Sequence, residues 1–388
     1  MWKHVVANLL TLAIVGLVAL MGVVGLGQRA FVAEGPLEQA ICLRVEPGAR
    51  LAQVSEQLLT QGAISSPMVF RVGAQYSERA TRLRFGSYLV QPGASMDQIL
   101  DQITRGGAST CGTEVQFRIG VTRVDYIVRE LDPATNRFAE VLALPLETDP
   151  LPPEYLGIAQ QADTRYRITI AEGTTSWQVW NALRQAEFLA GDLSEVPAEG
   201  TLATESYEVR RGQERGALVA EMQTRQQSIL AAAWASRQDG LPLASPEEAL
   251  ILASIVEKET GVADERPQVA SVFVNRLRVP MRLQTDPTVI YGITEGRGTL
   301  GRGLRRSELD AVTPYNTYQV DGLPPTPIAN PGRASIEAAL NPAESEYLYF
   351  GADGTGGHAF ARTLEEHNRN VARWRAIEAE RREAAEAD

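Results

Sequence analysis

Ser245-Pro-Glu-Glu-Ala-Leu-Ile-Leu-Ala-Ser-Ile-Val-Glu-Lys-Glu-Thr-Gly261 is the stretch on which the reading of the whole chain turns. Ser245 is a helix N-cap residue, Pro246 fits a first helical turn, and Glu248 completes a capping box while its charge complements the helix dipole. Ala249 to Val256 is apolar on every face, the composition of a helix buried all round. The run then enters Glu257-Lys258-Glu259-Thr260 and stops at Gly261, a residue suited to a left-handed C-cap. A carboxylate at such a helix end meets two effects of one sign. Loss of water favours the neutral acid, and the negative end of the dipole disfavours the anion. That is the setting in which a general acid stays protonated near neutral pH. At about 100° per residue the two glutamates point about 200° apart, so they cannot act as a pair on one cleft. Geometry alone does not choose between them, nor does it exclude that all three charges lie in solvent.

Towards the N-terminus, Val5 to Gly27 carries no charged side chain, and Asn8 and Thr11 are its only clearly polar ones. About 20 apolar helical residues cross a bilayer core, so residues 1–30 read as a cytoplasmic stub and transmembrane anchor. A cleaved signal has an apolar core of about 7–15 residues before a small-residue site, and Gly25-Leu-Gly-Gln-Arg29 is a poor site. Lys3 and the N-terminal amine lie before the span and Arg29 after it, a bias that only slightly favours a cytoplasmic N-terminus.

The 388 residues allow two to three domains, and 44% hydrophobic with 22% charged residues is the balance of a chain that buries a core. A net charge of -11 without a basic stripe argues against nucleic acid as a partner. Cys42 and Cys111 both follow the apolar segment, so one disulfide and two free thiols stay open as alternatives. His4, His358 and His367 are the only histidines, and no Cys/His cluster has ligand spacing. No metal and no cofactor is expected.

Residues 40–107 read β-α-α-β: a strand Ile41 to Val45, helices from Leu51 and around Val69 to Tyr76, and a strand Gly86 to Val90. Met96 to Ile103 follows as a helix. Residues 108–195 form a second small α/β region, with strands Val115 to Ile119 and Arg167 to Ile170 and a helix near Trp177 to Gln185. Asp132 to Gln160 lacks periodicity and reads as a connector. Three times a strand meets a glycine turn and a short helix: Arg44-Val-Glu-Pro-Gly48, Leu89-Val-Gln-Pro-Gly93 and Thr169-Ile-Ala-Glu-Gly173. Such units resemble those of LysM-type glycan-binding modules, with a generic α+β spacer as the alternative. Residues 196–370 hold the densest motifs and read as the catalytic domain, and 371–388 as a charged terminal helix. The fold class is therefore α+β: an N-terminal transmembrane helix, LysM-like small α/β modules, then a mixed α+β catalytic domain.

From Ala253 to Gly292 the sequence ASIVEKETGVADERPQVASVFVNRLRVPMRLQTDPTVIYG closely resembles the endolytic murein transglycosylase (YceG-like) family. The likeness continues through Thr313-Pro-Tyr-Asn-Thr-Tyr318, Gly322-Leu-Pro-Pro325, Ile328-Ala329, Ser335 to Pro342, Tyr347-Leu-Tyr-Phe350 and Gly356-Gly-His-Ala-Phe360, covering about residues 245–370 densely. In Glu199-Gly-Thr-Leu-Ala-Thr-Glu-Ser-Tyr207, Thr204 and Glu205 stand where the family shows Pro and Asp. The resemblance implies that Glu257, the first glutamate of the pair, is the catalytic acid, with Glu259 supporting it.

It also implies an endolytic lytic transglycosylase that cuts the MurNAc-GlcNAc bond of peptidoglycan glycan strands and leaves 1,6-anhydro ends. The expected place is the cytoplasmic (inner) membrane, with the catalytic domain on the periplasmic, extracytoplasmic side, and penicillin-binding proteins are the implied partners. A non-catalytic glycan-binding adaptor and a hydrolytic muramidase are the competing readings. Gln284 and Asp286, in a turn before Pro287, are expected to line the cleft, Asp286 either binding sugar hydroxyls or capping. Tyr315 and Asn316 sit in a Pro-rich loop, where binding is more plausible than packing. His358, after a glycine-rich loop, is a candidate sugar contact. Asn275 and Arg276 lie near the end of the helix from Glu265 to Arg278, whose buried stripe is Val269, Phe273 and Leu277. There Arg276 is expected to orient a neighbouring carboxylate.

Overall fold

The structure is a computed structural model that describes residues 2–105 and 109–387, the side chains of 3–7 and 384–387 aside. By its contacts the chain forms two compact units, residues 1–116 with 126–166, and residues 117–125 with 167–388. The expected boundary at 107 lies outside the described residues.

In the first unit, α1 (Trp2–Val32) opens the chain. From Asn8 to Val32 it is long and apolar enough to cross a membrane, and its most apolar stretch is not buried in protein. Strand β1 (Ile41–Val45) is followed by α2 (Leu51–Thr60), α3 (Pro67–Tyr76) and β2 (Gly86–Val90), the β-α-α-β order expected. β1 and β2 pair antiparallel from Ile41 opposite Val90 to Val45 opposite Gly86. Helix α3 starts where Ser66 accepts the Val69 N–H with Pro67 in its first turn. Helix α4 (Met96–Arg105) buries Ile99, Leu100 and Ile103 against the same core as Leu43, Leu58 and Phe70. Cys42 and Cys111 are joined by a disulfide, Cα atoms 5.7 Å apart.

Strands β3 (Thr113–Ile119), β4 (Val124–Asp132) and β5 (Arg137–Pro145) and helix α5 (Pro153–Ala159) come next. The expected connector at 132–160 thus holds a strand and a helix. Strand β5 is exposed along most of its length and so shows no apolar alternation. Its turn is set by Asp132, whose carboxylate accepts from the Ala134 N–H and the Thr135 hydroxyl.

Strand β6 (Arg165–Ile170), helix α6 (Ser176–Gln185) and strands β7 (Leu189–Ala190), β8 (Ser206–Val209) and β9 (Gln213–Glu214) precede the helical part. Five strands are hydrogen-bonded in the order β5-β4-β3-β6-β8, and β7 pairs parallel with β9. At the three strand–turn–helix units, Gly48, Gly93 and Gly173 share one left-handed conformation, φ +77°, +69° and +77°, which favours glycine.

Helix α7 (Arg215–Ala235) leads to α8 (Pro246–Glu259), then α9 (Arg266–Arg278), α10 (Asp286–Thr294), α11 (Arg306–Asp310) and α12 (Arg333–Leu340). A hairpin of β10 (Tyr349–Ala352) and β11 (His358–Ala361) precedes the terminal α13 (Leu364–Ala387). Ser245 accepts the Glu248 N–H, and Glu248 reaches back to the Ala244 N–H at 2.6 Å. Every residue from Ala249 to Val256 is buried, and α8 packs against α7, α9, α10 and α12. The end of α8 differs from expectation. Thr260, extended at φ -138°, closes the helix and takes the Val262 N–H on its hydroxyl, so Gly261 has no left-handed role.

Candidate functional site

The last turn of α8 sends Glu257 and Glu259 into different surroundings. The Thr285 hydroxyl donates a short hydrogen bond to Glu259. Burial is the largest influence on that carboxyl and holds it above the ordinary glutamate range; the Asp286 charge acts in the same direction. The bond from Thr285 and the charges of His358 and Arg276 pull it back in part. The residue as a whole is half-buried.

Thr285 is held by its neighbours. Its N–H donates to the Thr317 hydroxyl at 3.1 Å, and Thr288 shares a 2.9 Å contact with the same hydroxyl. These buried hydroxyls tie Leu-Gln-Thr-Asp-Pro287 to Tyr-Asn-Thr-Tyr318. Gln284 in this loop is exposed and sits at φ +51°, a strained position for glutamine. Asp286 is not in a turn. It is the first residue of α10, where Pro287 fits because its missing N–H has no helical partner to lose. Its exposed carboxylate accepts the Tyr318 hydroxyl at 2.7 Å, and burial together with that acceptor holds the Tyr318 hydroxyl above its ordinary range.

His358 lies on β11 rather than in a loop, because the chain re-enters the hairpin at Gly357. Glu265 takes its backbone N–H at 2.9 Å and its Nδ1 at 2.7 Å, and among the described residues Nε2 has no hydrogen-bond partner. The Phe350 ring meets the imidazole edge-on at 5.3 Å.

Glu257 faces Gly332, the N-cap residue of α12, and takes its N–H at 2.9 Å. A helix N-terminus attracts negative charge. Beside it, Lys258 donates to the Gly173 carbonyl at 3.2 Å, and burial holds its ammonium below the ordinary lysine range. Glu172 is raised by partial burial and by the Glu257 charge. Glu199 is raised by burial, against the Ser176 N–H at 2.7 Å and the Tyr291 hydroxyl at 3.1 Å. The departing loop therefore begins with a carboxylate committed to the start of α6. Glu257 joins a network that fastens α8, α12 and the β6–α6 turn together.

Several expected contacts are occupied by the fold. Asn316 is fully buried and donates to the carbonyls of Glu308, Leu309 and Ala311, so it holds its own loop and does not face a ligand. The Tyr315 hydroxyl meets Thr326, and its ring packs on Tyr291 at 5.1 Å. Asn275 donates to the carbonyls of Ser345 and Tyr347. Arg276 donates to those of Leu348 and Leu283, so it acts on Glu259 through charge without a direct bond. Thr285, which bonds Glu259, Tyr318, which bonds Asp286, and Glu265, which bonds His358, are residues that the sequence pattern left unassigned, although Thr285 lies between two residues singled out.

An α+β chain whose buried helix ends in two half-buried glutamates, following an N-terminal helix long and apolar enough to cross a membrane, is the class these features define. It belongs to the YceG-like family, whose model matches residues 43–155 and 146–373. An endolytic murein transglycosylase of Bacillus subtilis is 44% identical over 125 residues, 32% of this chain and 34% of that protein. One of Streptococcus pneumoniae strain D39 is 25% identical over 342 residues, 86% of this chain and 58% of that protein. The chain thus spans about a third and somewhat over half the length of these relatives. A crystal structure of a putative YceG-like protein from Listeria monocytogenes is 24% identical, covers 85% of this chain and 98% of its own, and superposes with a TM-score of 0.46.

Proposed function

We propose that this chain is an endolytic murein transglycosylase whose acid is Glu259, and that the assignment to Glu257 is to be withdrawn. The observation that carries the reading is the contrast in surroundings. Glu259 has the raised carboxyl a general acid needs, with the Thr285 hydroxyl to orient it, whereas Glu257 is spent on the N-terminus of α12. Glu259 gives its proton to the oxygen between C1 of N-acetylmuramic acid and C4 of N-acetylglucosamine. The C1–O bond breaks, the muramyl C6 hydroxyl attacks C1, and the carboxylate recovers the proton that hydroxyl releases. No water is consumed, and the strand ends in a 1,6-anhydro sugar.

Thr285 orients the acid. Gln284, Asp286, Tyr318 and the Nε2 of His358 are the groups within this part of the fold that can meet sugar hydroxyls. Asp286 is the second carboxylate near the acid, and a hydrolase would use one as base. Its bond to Tyr318 favours a binding role instead.

The disulfide supports an extracytoplasmic placement of the chain after α1, since such bonds persist in oxidising compartments. Between the end of β2 and α4 a groove of about 660 Å³ lined by Gln91, Ser95, Gln98 and Gln102 supports a LysM-like glycan-holding role. Cutting nascent strands there would limit the products of penicillin-binding synthases.

Mass spectrometry of isolated sacculi digested by the full chain tests the reaction. Anhydro ends are expected. Reducing ends would replace the lyase by a hydrolase, and unchanged strands would leave only an adaptor.

A further inference from the structure

Helix α3 exposes an apolar row that its own unit does not cover. Met68, Val72 and Tyr76, 69%, 60% and 81% exposed, recur every fourth residue and so share one face. The opposite face of the helix, with Phe70 and Ala74, is buried in the core. A contiguous apolar row of this kind calls for a partner.

The approach of α1 to α3 places the middle of that row at a definite height. Phe31, in the last turn of α1, lies so close to Gly73 of α3 that a Cβ there would stand 2.4 Å from its ring. The charge-free run of the sequence begins at Val5, and the described apolar span covers Asn8 to Val32. About 20 residues cross the hydrocarbon core, so a core entered between Val5 and Asn8 is left between Val24 and Gly27. At about 1.5 Å per residue, Phe31 then sits about 6 to 10 Å further on, in the interfacial region. Gly73 is held at the same level, and Val72 is its neighbour in the helix. The segment that follows α3 adds charge and an aromatic: Arg82 and Arg84 are exposed, and Phe85 is 57% exposed. Arg71 and Arg79 are already paired, with Glu56 and Asp97, and Glu78 is the acidic residue of the turn.

We propose that α3 and the Arg82–Phe85 segment form a second membrane contact, with Met68, Val72 and Tyr76 entering the interfacial layer and Arg82 and Arg84 meeting anionic headgroups. This rests on the anchor reading of α1 and is independent of the catalytic reading. Tyrosine, arginine and flanking apolar side chains are the composition of such interfaces. The contact would hold the module flat against the bilayer, so that α1 is more than a flexible tether.

The test uses the full chain in vesicles of phosphatidylethanolamine and phosphatidylglycerol. Nitroxides are placed singly by Leu17→Cys, Val72→Cys, Tyr76→Cys and Asp239→Cys, the native cysteines being paired with each other. Accessibility to oxygen and to a water-soluble nickel chelate is read at each label. Leu17 reports the span, and Asp239, exposed in the other unit, gives the water reference. Labels at 72 and 76 are expected to show an oxygen-to-nickel ratio several-fold above that at 239 and below that at 17. A ratio at 72 and 76 equal to that at 239 overturns the contact while the anchor stands. Shielding from both reagents there means that protein covers the row, and also overturns it. A label at 17 that behaves as in water removes the anchor reading, and the contact with it.

Discussion

Glu257 and Glu259 leave the same helix two residues apart, yet one is drawn to the start of α12 and the other is set among Thr285, Asp286 and His358. Both feel the same dipole end. What separates them is the element across from each. A backbone N–H of a helix start occupies the first, while the second meets a threonine hydroxyl, the Asp286 carboxylate and the charges of His358 and Arg276. A position on a helix therefore does not make an acid; the opposing surface does. Lys258 between them sides with the first, tying the helix end to Gly173.

Four substitutions can break or sharpen this contrast. The largest effect is expected from Glu259→Gln, which removes the transferable proton and should lower anhydro-product formation by about 10²- to 10⁴-fold, read by chromatography of digested sacculi. Next comes Thr285→Val. The acid works while protonated, so the rate falls as pH rises through its pKa. The Thr285 bond holds that pKa down, so its loss should move the falling limb of the rate profile to higher pH. A downward move would contradict the geometry.

Glu257→Gln keeps an acceptor for the Gly332 N–H but loses the charge at the helix start. Thermal unfolding should show a loss of about 1 kcal/mol, with the catalytic rate within a few-fold of the parent. The smallest effect belongs to Gly332→Ala. A Cβ there would lie 1.8 Å from the Glu172 carboxyl, but that side chain is exposed and can swing away. A change in stability of no more than about 0.5 kcal/mol is expected.

Much of this architecture was legible in the residues. Ser245, Pro246 and Glu248 announce α8, the all-apolar run fixes its burial, and glycine after each of three strands marks the same turn. The β4–β5 hairpin was not legible, since an exposed strand need not alternate and its signal reduces to Asp132 and Asn136 in the turn. Asp286 was misplaced for a related reason. A proline that usually ends helices also fits their first turn, and only the residues after it decide which applies. Asn316 looked like a binder because loops carry function, but an asparagine can equally close its own loop with three carbonyls. The choice between the two glutamates depended on Gly332 and Thr285, 75 and 26 residues away along the chain. No periodicity encodes such contacts.

The contrast is tested most directly by a crystal structure of the Glu259→Gln protein with a peptidoglycan tetrasaccharide bound across the site. The account requires the scissile glycosidic oxygen to lie within about 3.2 Å of the residue 259 amide, with Glu257 still on Gly332. A glycosidic oxygen seated over Glu257, with residue 259 out of reach, would contradict it.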